Sequence, residues 1–179
     1  MSYRSFTVKV NDLDETMTLN PDPAPVPTPT SDPEPELNPE AKPESYDGII
    51  QSVLGNGKLK GTNVADAFTF DTFDVFTKKA ADKIIGFDAS EGDTIAVSPN
   101  AFPALQGLSD ISFESTKSTK ELKQLSKEDY DFVYFEKKGR LYFDGNGFDK
   151  KWGNADEGGL VAILKGKPKL SIEDITLLT

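Results

Sequence analysis

The sequence predicts an all-β domain, because its apolar residues fall into many short runs and only one segment has a helical pattern. The runs after about Tyr46 are rich in β-branched and aromatic residues and are separated by Gly, Asp, Asn and Lys. Ser118 as N-cap, with Glu121 at the capping-box position, predicts one short helix over residues 118–125. The predicted strands cover residues 68–70, 74–76, 83–87, 94–98, 110–114, 131–136, 140–144 and 160–165.

An N-terminal segment, residues 1–20, precedes this domain. Phe6, Val8 and Val10 alternate with polar residues, and turn-forming residues 11–14 follow them, so a small β-hairpin is predicted over residues 5–19. An isolated hairpin is marginally stable in water. We therefore expect this segment to pack on a protein partner through Phe6, Val8 and Val10.

A proline-rich acidic arm, residues 21–45, connects the hairpin to the globular part, residues 46–179. Nine of the twelve prolines lie here. Proline fixes φ and restricts the residue before it, so an extended arm is predicted. The arm is interpreted either as a solvated spacer or as a segment that docks on a partner through residues such as Pro23, Pro25 and Pro27.

The composition excludes several classes of function. The chain has no histidine and no cysteine, which excludes thiolate nucleophiles, Ser-His-Asp relays and ordinary zinc sites. A net charge of −10 without a basic patch argues against nucleic acid and anionic membranes as partners. No stretch is long and apolar enough to span a bilayer, and the first twenty residues lack the apolar region of a classical signal peptide.

The strongest local motif covers residues 61–68, where a turn-forming segment leads into Asp66 and an apolar residue follows two places later. In a β-roll, each nine-residue unit binds Ca²⁺ through turn carbonyls and an Asp carboxylate, and one apolar side chain points inward. Nine residues earlier, Gly57 takes the place of the Asp and Leu59 takes the apolar place. The preceding unit is therefore predicted to be a degenerate repeat.

Three segments resemble the repeats-in-toxin (RTX) family and the C-terminal module of serralysins. Residues 54–98 are similar to the last β-roll turn and its exit, with the form L-x-G-T-x-x-A-D-x-F-x-F followed by D-x-I-x-x-F and E-G-D-x-I-x-x-S. Residues 131–144 resemble the family's Y-x-x-x-x-G-x-L-Y-Y-D hairpin, and residues 159–170 resemble its A-x-L-x-G-x-P-x-L strand.

This resemblance implies a short degenerate β-roll turn leading into a β-sandwich, with bound calcium and often type I secretion through an uncleaved C-terminal signal. It matches Asp66 to the repeat's aspartate, Gly61 and Asn63 to carbonyl donors, and Asp82 to the exit aspartate. A turn held by hydrogen bonds without an ion is the alternative, because Ca²⁺ takes six to eight oxygen ligands. The family's protease domain is not expected, since its zinc motif requires histidines.

A second acidic segment, residues 144–149, contains Asp144, Asn146 and Asp149 at a spacing that resembles the start of an EF-hand. The twelfth position of such a loop would be Ala155 instead of Glu. A glycine-rich hairpin turn is therefore favoured over a second metal site.

Three functions follow from these observations. The favoured one is a non-enzymatic structural or accessory subunit, attached by its hairpin and arm to a virion, a surface layer or another extracellular scaffold. The second is a free exported RTX-type calcium-binding protein. The third is a glycan-active enzyme with a carboxylate pair, which is least favoured because thirty acidic residues make chance pairs common.

Overall fold

A computed structural model of the chain describes residues 48–179. The predicted hairpin with Phe6, Val8 and Val10, and the predicted arm with Pro23, Pro25 and Pro27, lie outside the described residues.

The described part contains ten strands in two sheets, one short α-helix and several 3₁₀ turns, which confirms the predicted, largely β fold class. The first sheet has the order β1 (Gly48–Gln51), β3 (Asp66–Phe70), β5 (Thr94–Val97) and β10 (Ile175–Leu177). The second sheet has the order β2 (Lys58–Lys60), β4 (Asp82–Ile85), β9 (Gly158–Leu164), β8 (Arg140–Asp144), β7 (Phe132–Phe135) and β6 (Phe113–Thr116).

The first five strands form a parallel coil, because successive strands alternate between the two sheets. Strands β1, β3 and β5 pair in parallel in one sheet, and β2 and β4 pair in parallel in the other. Strands β9 and β10 extend this arrangement, since β9 pairs with β4 and β10 pairs with β5, both in parallel. The start of each strand in the coil thus lies beside the start of a strand from another turn of the chain.

Two sequence predictions are confirmed locally. Strands β7 and β8 form an antiparallel hairpin with Phe132 opposite Phe143. Helix α1 spans Thr119–Leu125, and the Ser118 Oγ accepts the Glu121 N–H at 3.3 Å. The Glu121 carboxylate accepts the hydroxyl of Thr116.

One predicted strand is wrong, because residues 74–76 lie in an irregular connection between β3 and β4. The Asp74 Oδ2 accepts the Gly55 N–H at 2.6 Å, and the Phe76 N–H bonds to the Ala155 carbonyl at 2.6 Å. This segment therefore makes these hydrogen bonds with loop residues and not with the backbone of a neighbouring strand.

Both sheets contribute to one hydrophobic core. Phe102, on the connection after β5, is 1% exposed and lies 4.9 Å from Phe143 and 5.3 Å from Phe132 between ring centroids. It also stacks on Phe76 at 5.5 Å. The connection after β5 is thereby fixed against the β7–β8 hairpin, whose end forms part of the site described below.

Candidate functional site

Aspartates at the starts of strands accept backbone N–H groups from neighbouring parallel strands. Asp93, just before β5, is fully buried, and its Oδ1 accepts the Asp66 N–H at 2.9 Å while its Oδ2 accepts the Asp88 N–H at 2.9 Å. Asp82, at the start of β4, accepts the Gly57 N–H at 2.6 Å. These carboxylates satisfy N–H groups at strand starts.

The same contact occurs beside the hairpin. Asp131, just before β7, accepts the backbone N–H of Ser112 at 2.7 Å and its hydroxyl at 2.8 Å. Since β6 and β7 are parallel and pair Phe113 with Phe132, Ser112 and Asp131 are at equivalent positions. In three parallel strand pairs, an aspartate at the start of one strand therefore accepts an N–H at the start of its neighbour.

Burial raises the pKa of two of these carboxyl groups. For Asp93, burial raises the pKa most, and the negative charges of Asp66 and Asp88 raise it further. The N–H bonds from Asp88 and Asp66 lower it in part. For Asp82, burial is opposed by N–H bonds from Gly57 and Val53. Proton uptake is thus easier for both groups than for an exposed aspartate.

Asp66 differs from the other aspartates because one of its oxygens has no partner. Its Oδ2 accepts the N–H of Thr62 at 2.6 Å and the hydroxyl at 2.9 Å. Its Oδ1 is buried and has no hydrogen-bond partner. Gly48 lies opposite Asp66 in the sheet, and a Cβ added there would overlap this oxygen.

The structure brings only part of the predicted calcium set together. A Cβ added at Gly61 would lie 3.3 Å from the Asp66 Oδ2, and Asn63 is exposed on the same turn. Asp82 is separate: the Gly61 N–H bonds to the carbonyl of Ile85 at the end of β4, whereas Asp82 begins that strand. A strand of this length separates its ends by about 10 Å.

An acidic cleft lies at the end of the β7–β8 hairpin. It has a volume of about 590 Å³. Four carboxylates, the Asn146 amide, Ser112 and three apolar residues line it, together with two glycines. The carboxylates are Asp110, Asp129, Asp131 and Asp144, and the apolar residues are Ala104, Leu108 and Ile111.

Asp144, the last residue of β8, is the most buried carboxylate of the cleft, at 4% exposure. Its Oδ1 accepts the Asn146 N–H at 3.3 Å, and its Oδ2 has no hydrogen-bond partner. Burial raises the pKa of Asp144 to about 7, the Asn146 N–H opposes this shift, and the negative charges of Asp129 and Asp131 increase it. The base of the cleft thus holds a carboxyl group that binds a proton near neutral pH.

The loop after β8 is a turn held by Asn146. With its amide oriented to match its neighbours, Asn146 donates to Asp144 and to the Lys151 carbonyl, and it accepts the Gly153 N–H at 2.8 Å. Asp149 is exposed and does not line the cleft.

Three carboxylates of the cleft, Asp110, Asp129 and Asp131, were missed by the sequence analysis. The signal for Asp131 was the hairpin register, since Phe132 opposite Phe143 places Asp131 next to Asp144, whose N–H bonds to the Asp131 carbonyl at 3.0 Å. Like charges at such positions repel each other.

Two negative findings concern residues 48–179. No group of three or more acidic side chains there is arranged to hold a metal ion. The same residues include no helix with the length and apolar character needed to cross a membrane.

Comparison with known proteins adds no relative. No protein-family model matches the chain, and no significant match is found among curated proteins or solved structures.

Proposed function

We propose that this chain is a non-enzymatic structural or accessory subunit, a calcium-type β module that its N-terminal hairpin and arm attach to a larger assembly. A virion, a surface layer or another extracellular scaffold would suit such a module. In this proposal the parallel coil is a remnant β-roll that leads into a sandwich.

The observation that carries the proposal is the structural role of aspartates that lie just before strands or at their first residue. Asp82, Asp93 and Asp131 hold backbone N–H groups at the starts of parallel strands. A carboxylate that accepts such backbone N–H groups stabilises the fold, and the engaged oxygens are less available to act as a nucleophile. A structural role thus accounts for these three carboxylates.

The acidic cleft also supports a non-catalytic role. Glycosidases need two carboxylates on either side of the scissile bond. Asp131 is engaged by Ser112, and the cleft-lining residues include no aromatic ring on which a sugar could stack.

Co-sedimentation tests the proposed attachment. The full chain is mixed with virions or envelope particles from the source culture, and pelleting is compared with that of the variant F6S/V8S/V10S. We expect the variant to stay in the supernatant, because the apolar side of the predicted hairpin is removed. Val64→Ser, at an exposed apolar position of the module, is the matched control and should pellet normally. Equal pelleting of the triple variant and the original chain would contradict the proposal.

A second candidate is the free exported RTX-type calcium-binding protein, and the Oδ1 of Asp66 favours it. This oxygen is buried without a partner, and carbonyls of Gly61 and Asn63 could supply further oxygen ligands. Ca²⁺ prefers such oxygen donors but needs six to eight of them. A calcium titration followed by circular dichroism separates this candidate from the first, because only a free exported protein of this type would require the ion to fold.

A further inference from the structure

We propose that the acidic cleft is a docking site for an arginine side chain of a partner protein. The inference rests on the proposed attachment to an assembly and adds a second contact, made by the folded module itself.

The charge of the cleft is the first argument. Four carboxylates line it, and the lining residues include no lysine and no arginine. Their exposure decreases inward, from the exposed Asp129 through the half-buried Asp131 to the buried Asp144. The carboxylates of Asp110, Asp129 and Asp131 therefore attract a cation to the cleft, and a cation that reaches Asp144 replaces the proton that this carboxyl group binds near neutral pH.

The second argument is the unpartnered oxygen of Asp144. A buried acceptor without a hydrogen bond costs roughly 1–3 kcal/mol, and such atoms are rare in native proteins. Asp144 is 4% exposed, and its Oδ2 has no partner. A donor that enters the cleft would satisfy this atom, and a charged donor would give the stronger bond.

The third argument is the shape of the cleft. Ala104, Leu108 and Ile111 form an apolar wall next to the carboxylates, and an arginine side chain combines an apolar stem with a guanidinium that carries five N–H donors. A metal ion fits less well, because no three acidic side chains between residues 48 and 179 surround one point. The volume of about 590 Å³ is within the range of pockets that hold an organic group.

The test uses the ¹⁵N-labelled full chain and the peptide acetyl-Gly-Ser-Gly-Arg-Gly-Ser-Gly-amide, followed by NMR. We expect the peptide to shift the amide signals of Gly145 and Gly147, which line the cleft. The same peptide with citrulline, which keeps the shape and loses the charge, should shift neither.

Two isosteric variants locate the site. Asp144→Asn and Asp129→Asn should each weaken arginine-peptide binding about tenfold, as expected for loss of one charge-assisted hydrogen bond. Asp156→Asn is the matched control, because Asp156 is exposed and lies outside the cleft, and it should bind like the original chain. Preserved amide spectra show that each variant is folded. If Asp144→Asn does not fold, peptide binding by Asp129→Asn tests the proposal on its own.

Ca²⁺ is titrated in the same experiment as the competing ligand. Equal shifts from the arginine and citrulline peptides would overturn the proposal, as would Ca²⁺ binding that depends on Asp144 without any arginine effect. If either result is obtained while the full chain still pellets normally, the cleft proposal is overturned and the proposed attachment to an assembly is not. Loss of pelleting by Asp144→Asn, with the F6S/V8S/V10S variant unaffected, would support the cleft and contradict attachment through the hairpin.

Discussion

The carboxylate of Asp93 accepts the backbone N–H of Asp66 at 2.9 Å across two adjacent parallel strands. The other oxygen of Asp93 accepts the Asp88 N–H, so one buried side chain joins β3, β5 and the turn that connects β4 to β5. Parallel strands leave N–H groups unpaired where the ladder begins, and this aspartate satisfies one of them, on Asp66, together with the turn N–H of Asp88.

Replacing Asp93 with alanine should therefore destabilise the fold. Two N–H groups would lose their acceptor, at roughly 1–3 kcal/mol for each group that stays buried. Removing a buried charge offsets part of this loss, so we expect the free energy of unfolding to fall by about 2 kcal/mol. Urea denaturation followed by circular dichroism measures the change.

Asp156→Ala is the control for the Asp93 variant, because Asp156 is exposed. Its effect should stay within about 0.5 kcal/mol. An Asp93 variant as stable as this control would show that water replaces the carboxylate without loss.

The hairpin turn gives a second prediction. Gly139 has φ of 61°, and a Cβ added there would overlap the Leu164 carbonyl. Gly139→Ala should therefore lower the free energy of unfolding by about 1 kcal/mol because of the left-handed backbone, and by a further amount because of the overlap. Gly166→Ala is a matched control, since Gly166 has φ of 83° with nothing within 4 Å of the added Cβ. Thermal unfolding of both variants separates the two costs, and equal losses would mean that the Leu164 carbonyl moves away freely.

The sequence predicts the elements that local chemistry determines. The β7–β8 hairpin follows from alternation around Gly139, and helix α1 follows from its Ser118 cap. Strands β1, β2 and β10 were missed, because their few residues, GIIQ, KLK and ITL, do not by themselves distinguish a strand from a loop. The segment around Asp74 alternates like a strand, but the carboxylate bonds to the Gly55 N–H, a contact that residues adjacent in sequence do not reveal.

The candidate site was predicted only in part for a similar reason. Asp144 and Asn146 were identified from their spacing, whereas Asp129 and Asp131 come from before β7 and reach the cleft through strand pairing. Asp66 was identified as an acidic turn residue, but its contact with Asp93 depends on the parallel register of two strands. Non-local pairing thus decides which carboxylates meet.

The pH dependence of stability gives a third prediction. Burial and the charges of Asp129 and Asp131 raise the pKa of Asp144 from 3.8 to about 7. The folded state therefore binds this proton more tightly than the unfolded state. Its contribution to stability is complete below about pH 4 and is lost as the pH rises through about 7. The free energy of unfolding should fall by roughly 2 kcal/mol between pH 5 and 8, a figure reduced for solvent screening in the open cleft.

The composition makes this prediction easy to test. The chain has no histidine and no cysteine, so none of the side chains that usually titrate near pH 7 masks the effect. The unfolding temperature of Asp144→Asn should be nearly independent of pH over the same range. If the stability of the variant changed with pH as steeply as that of the original chain, the effect would belong to another titrating group.

Calcium binding at Asp66 gives the last prediction. The Oδ1 of Asp66 is buried without a partner, whereas the Asp82 carboxylate already holds the Gly57 N–H at the far end of β4. If an ion is bound by the coil, millimolar Ca²⁺ should raise the unfolding temperature relative to EGTA, because a ligand that binds only the folded state stabilises it. Asp66→Asn should abolish the rise and Asp82→Asn should retain it. A rise that survives Asp66→Asn, or that is lost equally in both variants, would show that this oxygen does not bind the ion.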